Sequence, residues 1–303
     1  MNEARRGLLW SLLGDLPEPR PITAETVRVT PGDGYRVETL RLDLNGLEPV
    51  PAHLVIPDNL RGPAPGVVYN HSHGGYYQVG KDELLHGQSY LHGPYAKALA
   101  DLGCVTIAID AWCFGERSTR SEADTFKRML WRGQWLWGMM MWDTHRALDY
   151  LVARPEVDPA RLGTVGLSMG CTAAWWLAAL DVRVKACAGL VCLTDYETLL
   201  ANDAESCHGF YYFIPGLLKH FGTADIVRLI CPRAFLSLNG DLDRGTPPAG
   251  VERIAAAVTP DWAQAGASDN LRIARYPVGH EETPAMRAQV LAWLAHHLRP
   301  SRP

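Results

Sequence analysis

The sequence predicts an α/β fold built on a doubly wound, mostly parallel sheet. Three observations carry that expectation. Apolar runs such as 104–109 are continuous rather than alternating, the pattern of a strand buried on both faces. From residue 94 onward such runs alternate with helix-length segments, as in repeated strand–helix–strand units. Ahead of them, 26–30, 35–44 and 50–56 alternate or carry β-branched residues and read as an antiparallel lead-in.

The elements follow in order. Residues 7–14 are a short apolar run followed by Asp15, with no A-x-A site. An amphipathic surface helix ended by Pro17 is expected there, not a signal peptide. A strand at 67–69 runs into Asn70-His71-Ser72-His73-Gly74-Gly75, and a long polar loop covers 76–93. Pro94 opens a helix through Leu102, at a position where proline is favoured. Next come a strand at 104–109 and a helical stretch at 121–154, interrupted near Gly133 and Gly138. A strand at 162–167, a helix at 169–180 and a strand at 184–191 lead to a variable segment, 194–229. The chain then reads as strand 234–238, helix 247–258, strand 271–276 and helix 284–298. Repeats and low-complexity linkers are absent from the sequence. The expected organisation is one α/β domain over 1–303, with a helix-and-strand extension at 1–60 and a small lid-like insertion at 195–229.

Composition narrows the class. At 47% apolar and 20% charged residues, the chain is neither disordered nor collagen-like nor a coiled coil. A net charge of -4 gives no footprint for nucleic acid. No run reaches about 18 apolar residues, so neither a membrane span nor a membrane partner is expected. The seven cysteines are scattered without a C-x-x-C pair, which argues against a disulfide framework or zinc site. A cytoplasmic protein is the expectation. Seven of the ten tryptophans fall between Trp112 and Trp176. Most should pack helices onto the sheet.

Gly166-Leu167-Ser168-Met169-Gly170 matches G-x-S-x-G. The bare pattern is weak; its place between a strand and a helix makes it a nucleophile elbow. Glycines at 166 and 170 remove Cβ atoms that would collide with neighbouring elements, and amides at the helix start face the same point. The bland alternative is a serine N-cap between glycines. Cys171 is the rival nucleophile, but it lies inside the helix and reads as packing.

A serine hydroxyl needs a base, and the base a carboxylate to orient it. In this arrangement the order is Ser, acid, His. His280 follows strand 271–276 on a loop before the last helix and is the expected base. His208 and His220 fall in the insertion, where one of them could line the pocket. His296 and His297 sit at a helix C-terminus. The strand 234–238 leads into Asn239-Gly240-Asp241-Leu242-Asp243. Asp243 is the expected acid, with Asp241 the alternative, expected otherwise to hold the turn backbone. The oxyanion amides are expected from Met169 and His73, with Gly74 as alternative to His73. Two histidines two apart suggest a metal only weakly: a third ligand is missing and Gly74-Gly75 favours backbone work. His71 should brace the loop. No metal and no cofactor are expected.

These residues resemble the serine α/β-hydrolases, and within them the dienelactone hydrolase-like and acetyl xylan esterase-like branch. The stretch 142–151 and the turn 157–162 look like the helix and turn that branch places before its elbow. The resemblance covers about 35–298. It implies an α/β-hydrolase fold and a hydrolase. Dienelactone hydrolases proper use cysteine, so their chemistry does not transfer. Ser72 stands where many relatives carry Gly, and Cys171 where Gly is common.

The expected activity is cofactor-free hydrolysis of a small-molecule carboxylic ester through an acyl-enzyme on Ser168. The alternatives are a thioesterase, amidase, peptidase or carbon–carbon hydrolase on the same triad. A non-catalytic binding protein ranks behind, because no triad member is missing. Tyr76, Trp112, Tyr211 and Tyr212 are the candidate pocket walls. Glu116 and Arg117 should pair with each other or meet a polar substrate. The oligomeric state is left open, a homo-oligomer included.

Overall fold

The structure, a computed structural model, describes residues 2–300. Nine strands form one sheet in the order β1-β2-β3-β5-β4-β6-β7-β8-β9. Helix α1 (Asn2–Ser11) precedes β1 (Thr23–Pro31), β2 (Tyr35–Asp43) and β3 (Val50–Pro57), which pair antiparallel. Strand β4 (Ala64–Asn70) is followed by the short helices α2 (Glu83–His86) and α3 (Ala96–Asp101) and by β5 (Val105–Ile109). β5 joins β3 antiparallel and β4 parallel. Then come α4 (Glu122–Leu130), α5 (Leu136–Val152), β6 (Val157–Leu167), α6 (Met169–Leu180) and β7 (Val184–Leu190). Helices α7 (Tyr196–Ala201) and α8 (Thr223–Arg228) lead to β8 (Ala234–Gly240), α9 (Pro248–Gln264), β9 (Leu271–Tyr276) and α10 (Pro284–His297). From β4 through β9 every pairing is parallel, except for the edge with β3.

The continuous apolar runs are the parallel centre: every residue of β5 and of β8 is buried. Their side chains feed two cores. Leu54, Val105, Ile107 and Ile109 pack with α5, α6 and α9 on one face. Ala108, Val165, Leu167, Leu236 and Leu238 pack with α3 and α10 on the other. Burial on both faces is why these strands lack a polar side. β1, at the sheet edge, is the opposite case, with Val27 and Val29 about half exposed.

Some boundaries differ from the sequence reading. The 121–154 stretch divides once, at residues 131–135, where Gly133 takes φ +70. Its carbonyl accepts the Asp15 amide. Gly138 does not break α5; a side chain there would strike the Leu13 carbonyl, so the glycine admits the end of the N-terminal segment. The helix after Pro94 starts at Ala96. α9 runs past Val258 to Gln264. Trp137, Trp175 and Trp176 are buried, whereas Trp131 is 94% exposed and packs nothing onto the sheet. No helix among the described residues is long and apolar enough to cross a membrane.

Candidate active site

Ser168 occupies the turn between β6 and α6 with φ 57 and ψ -121. A non-glycine residue in that region costs about 1–3 kcal/mol, so the surroundings must impose it. They do. The Ser168 amide donates to the Leu190 carbonyl (2.9 Å), and the Ser168 carbonyl accepts the Thr172 amide (3.0 Å). A Cβ at Gly166 would strike the Gly170 and Asn70 backbones; one at Gly170 would strike the Asn70 carbonyl. Both glycines therefore let the end of β4 press against the elbow. Met169 opens α6, where an N–H has no intrahelical acceptor.

His280 Nε2 lies 2.7 Å from Ser168 Oγ. His280 Nδ1 lies 2.7 Å from Asp243 Oδ2. An ionised carboxylate only accepts, so Nδ1 carries the proton and Nε2 is left to accept from the serine. Asp243 is nearly buried and its other oxygen accepts the Gly245 amide (2.9 Å). The acid and base loops are laced together: Asp241 N donates to Tyr276 O (2.8 Å) and Leu242 N to Val278 O (3.0 Å). A side chain on Gly240 would strike Val278 O and Gly279 O. Asp241 does not hold the turn, as the sequence reading had it. It pairs with Arg275 (3.2 Å), while Asp243 itself takes the turn amide.

The loop after β4 packs beside the elbow. His71 Nδ1 bonds Ser72 O (2.7 Å) and its Nε2 accepts the Ala111 amide (3.1 Å). His73 Nδ1 accepts the Gly75 amide (3.0 Å), and its Nε2 meets Tyr211 Oη at 3.0 Å. All four ring nitrogens are thus engaged within the protein. Among the described residues no group of three or more His, Cys, Asp or Glu could hold a metal ion. Burial, then the imidazoles of His71, His280 and His208, push the His73 pKa down to about 4, so it is neutral at pH 7. Gly74 and Gly75 take φ +48 and +86. Gly74 packs on the Tyr90 ring, where a Cβ would not fit.

The 195–229 insertion touches two of these loops. Tyr211 reaches His73 from it. His208 donates to Gly245 O (3.0 Å) and stacks on Tyr212 at 4.0 Å, bracing the acid loop. Trp112 instead lies under the Arg117 guanidinium (4.3 Å), and Tyr76 is 55% exposed. Among the described residues, no hydrogen bond or ring contact joins either of those two to the triad. Glu116 and Arg117 do not pair with each other: Glu116 binds Lys81 (2.8 Å), and Arg117 binds Glu48 (2.6 Å) and Asp143 (2.9 Å). Cys171 is fully buried, and burial pushes its thiol well above the usual range.

Four residues absent from the sequence reading hold the site. Glu83, fully buried, accepts from Tyr69 (2.7 Å), Tyr90 (2.7 Å), the Ser72 amide (3.0 Å) and the Ser72 hydroxyl (2.5 Å). Tyr90 also gives its carbonyl to the Glu282 amide (2.8 Å), two residues beyond His280. Glu282 in turn is held by Arg287 (2.7 Å) and Tyr95 (2.5 Å). Glu122, buried, accepts from Tyr77 (2.8 Å) and from the Tyr211 amide (2.8 Å). The sequence signal for the first of these was Ser72, the odd residue of the loop; the others had none, because the contacts that tie them to the site, Tyr90 to Glu282, Glu282 to Tyr95 and Glu122 to Tyr211, join segments far apart in the chain.

Known proteins carry the same architecture. The chain is 46% identical over 295 residues to "Putative hydrolase YtaP" of Bacillus subtilis (strain 168), covering 97% of this chain and 99% of that one. A putative acetyl xylan esterase from Bacteroides fragilis superposes with a TM-score of 0.72 at 17% identity, over 91% of this chain and 74% of that one. A glucuronoyl esterase from Solibacter usitatus gives 0.69 at 16% identity, over 97% and 91%. These structures share the α/β-hydrolase fold. The model of the Abhydrolase family matches residues 16–277, and the chain belongs to that family of hydrolases.

Proposed function

We propose that the chain is a cofactor-free serine esterase acting on a small-molecule carboxylic ester. One observation carries the reading: the hydrogen-bonded relay Asp243–His280–Ser168, both links 2.7 Å, set on a strained elbow. Ser168 Oγ attacks the carbonyl carbon while His280 Nε2 takes its proton. Asp243 holds the imidazole in the required tautomer and stabilises the cation that forms. The Met169 and His73 amides receive the oxyanion. Collapse of the intermediate breaks the bond to the alcohol, which leaves with the proton from His280. Water then attacks the acyl-enzyme by the same route, and the acid departs. Tyr211 and Tyr212 wall the acyl or alcohol group.

The ester reading draws support from structures of like fold that are, by name, a putative acetyl xylan esterase and a glucuronoyl esterase. The test is direct. An organophosphonate should label Ser168 stoichiometrically, and p-nitrophenyl acetate should be hydrolysed by the wild type and not by Ser168→Ala. A folded protein that neither labels nor hydrolyses would overturn the assignment.

A further inference from the structure

Tyr211 holds a proton that the protein does not use. The Gly75 amide can only donate, so His73 Nδ1, 3.0 Å away, must be the bare nitrogen of a neutral ring. The ring proton is then on Nε2 and points at Tyr211 Oη, 3.0 Å away. The phenol oxygen therefore accepts, and its own hydrogen must turn elsewhere. No second partner takes it among the described residues, although the side chain is only 2% exposed. The low proton affinity of His73 and the raised pKa of the phenol, both from burial first, keep this arrangement in place near neutrality.

The phenol is also held in position. Glu122 fixes its backbone amide at 2.8 Å. Trp137 stacks on its ring at 5.9 Å, with an indole N–H that is itself buried and unpartnered. The Tyr212 hydroxyl, on the next residue, is likewise buried without a partner. A buried donor without an acceptor is costly, and a fixed one next to an oxyanion loop is a ligand donor in waiting.

We propose that Tyr211, held by His73, donates a hydrogen bond to an oxygen of the substrate, so that the site prefers esters carrying an ether, hydroxyl or carbonyl oxygen over plain alkyl esters. The inference rests on the serine esterase reading above and deepens it: Tyr211 selects among esters and takes no part in proton transfer to Ser168.

Matched ester pairs test it, because an ether oxygen and a methylene are close in size. The pairs are methoxyacetate against butyrate, 3-methoxypropionate against pentanoate, both as p-nitrophenyl esters, and 2-methoxyethyl acetate against butyl acetate. Each kcat/KM is normalised to the hydroxide-catalysed rate of the same ester. The wild type should favour the oxygenated member of at least one pair by about tenfold, and Tyr211→Phe should cut that ratio to near one, whatever it does to both members together. No preference in any pair for the wild type overturns the proposal without any variant. So does a ratio that Tyr211→Phe leaves unchanged. Phosphonate labelling of Ser168 separates the two levels. Labelling with no preference removes the role of Tyr211 alone; no labelling of the wild type removes the esterase reading and this inference with it.

Discussion

Ser72 gives both of its donors to one buried carboxylate, its amide to Glu83 Oε1 at 3.0 Å and its hydroxyl to Oε2 at 2.5 Å. This accounts for a serine in the loop after β4. A glycine would give Glu83 the amide alone. Tyr90 donates to the same carboxylate, carries Gly74 on its ring and holds the Glu282 amide beyond His280. The loop after β4 and the His280 loop are therefore tied to one residue, the first through its phenol and the second through its backbone carbonyl.

Removing the phenol hydroxyl takes away the tie to Glu83 and should loosen the loop after β4, while the carbonyl bond to Glu282 stays. Tyr90→Phe should lose about 1.5–3 kcal/mol of stability, the worth of a hydrogen bond to a charged group. Its kcat should fall about tenfold with KM little changed, since the loss is in alignment for the transition state. Glu83→Gln should cost more, because its amide nitrogen would face hydroxyl and amide donors in a site with no exposure. Urea denaturation and steady-state kinetics measure both. A folded Tyr90→Phe with unaltered kcat would show that the linkage is only structural.

The two aspartates of the acid loop should separate cleanly. Asp243→Asn places an amide against His280 Nδ1 and favours the wrong tautomer, so kcat should drop about a thousandfold or more. Asp241 faces Arg275 on a partly exposed surface. Its pairing is worth little in solvent, and Asp241→Asn should stay within about threefold of wild type. Stopped-flow acylation by p-nitrophenyl acetate compares them. Equal damage from both substitutions would return the acid to an open question.

The layout of the fold was legible because its signals are local. Residues 104–109 and 234–238 are apolar throughout since both faces of β5 and β8 are covered. Gly166 and Gly170 announce the elbow because only a missing Cβ lets Asn70 so close. Ser168, Asp243 and His280 are each spaced from a strand end, which is a sequence property. What was not legible is whatever depends on contacts between distant segments. Glu83 meets Ser72 and Tyr69 across the turn of a long polar loop, and Glu122 meets Tyr211 from 89 positions away. A carboxylate in a polar loop looks solvated until its partners are placed. Arg117 was misread for the same reason: its neighbour in sequence, Glu116, turns to Lys81, and its own partner Asp143 lies on α5.

The neutral His73 makes stability depend on pH in a defined window. Its pKa falls from the ordinary 6.5 to about 4 in the folded protein. Between those values the unfolded chain binds a proton that the folded chain refuses. The group therefore leaves stability untouched above about pH 6.5, lowers it as pH falls from there towards 4, and adds no further slope below. The whole effect is at most about 3 kcal/mol. Protonation would also put a hydrogen on Nδ1, against the Gly75 amide. Guanidinium denaturation at pH 7, 6 and 5 should give a steeper loss for the wild type than for His73→Gln. Parallel curves for the two proteins would contradict it.

Thiol chemistry should leave the nucleophile alone. Cys104, Cys113, Cys171, Cys187 and Cys192 are buried, whereas Cys207 is exposed and Cys231 partly so. A Cβ placed on Gly189 would meet Cys171 Sγ at 2.6 Å, so the thiol fills the space over that strand, and burial keeps it protonated at neutral pH. Iodoacetamide at pH 8 should alkylate Cys207 first, Cys231 slowly, and Cys171 only on unfolding. Cys207 sits near Gly245 of the acid loop, so turnover is a poor readout of which nucleophile remains. The phosphonate is a better one. Protein alkylated at Cys207 should still take one phosphonyl group, on Ser168 by peptide mapping, and Cys171→Ala should do the same. Phosphonylation or alkylation at Cys171 in the native protein, with Ser168 left free, would move the nucleophile three residues into α6 and undo the elbow assignment.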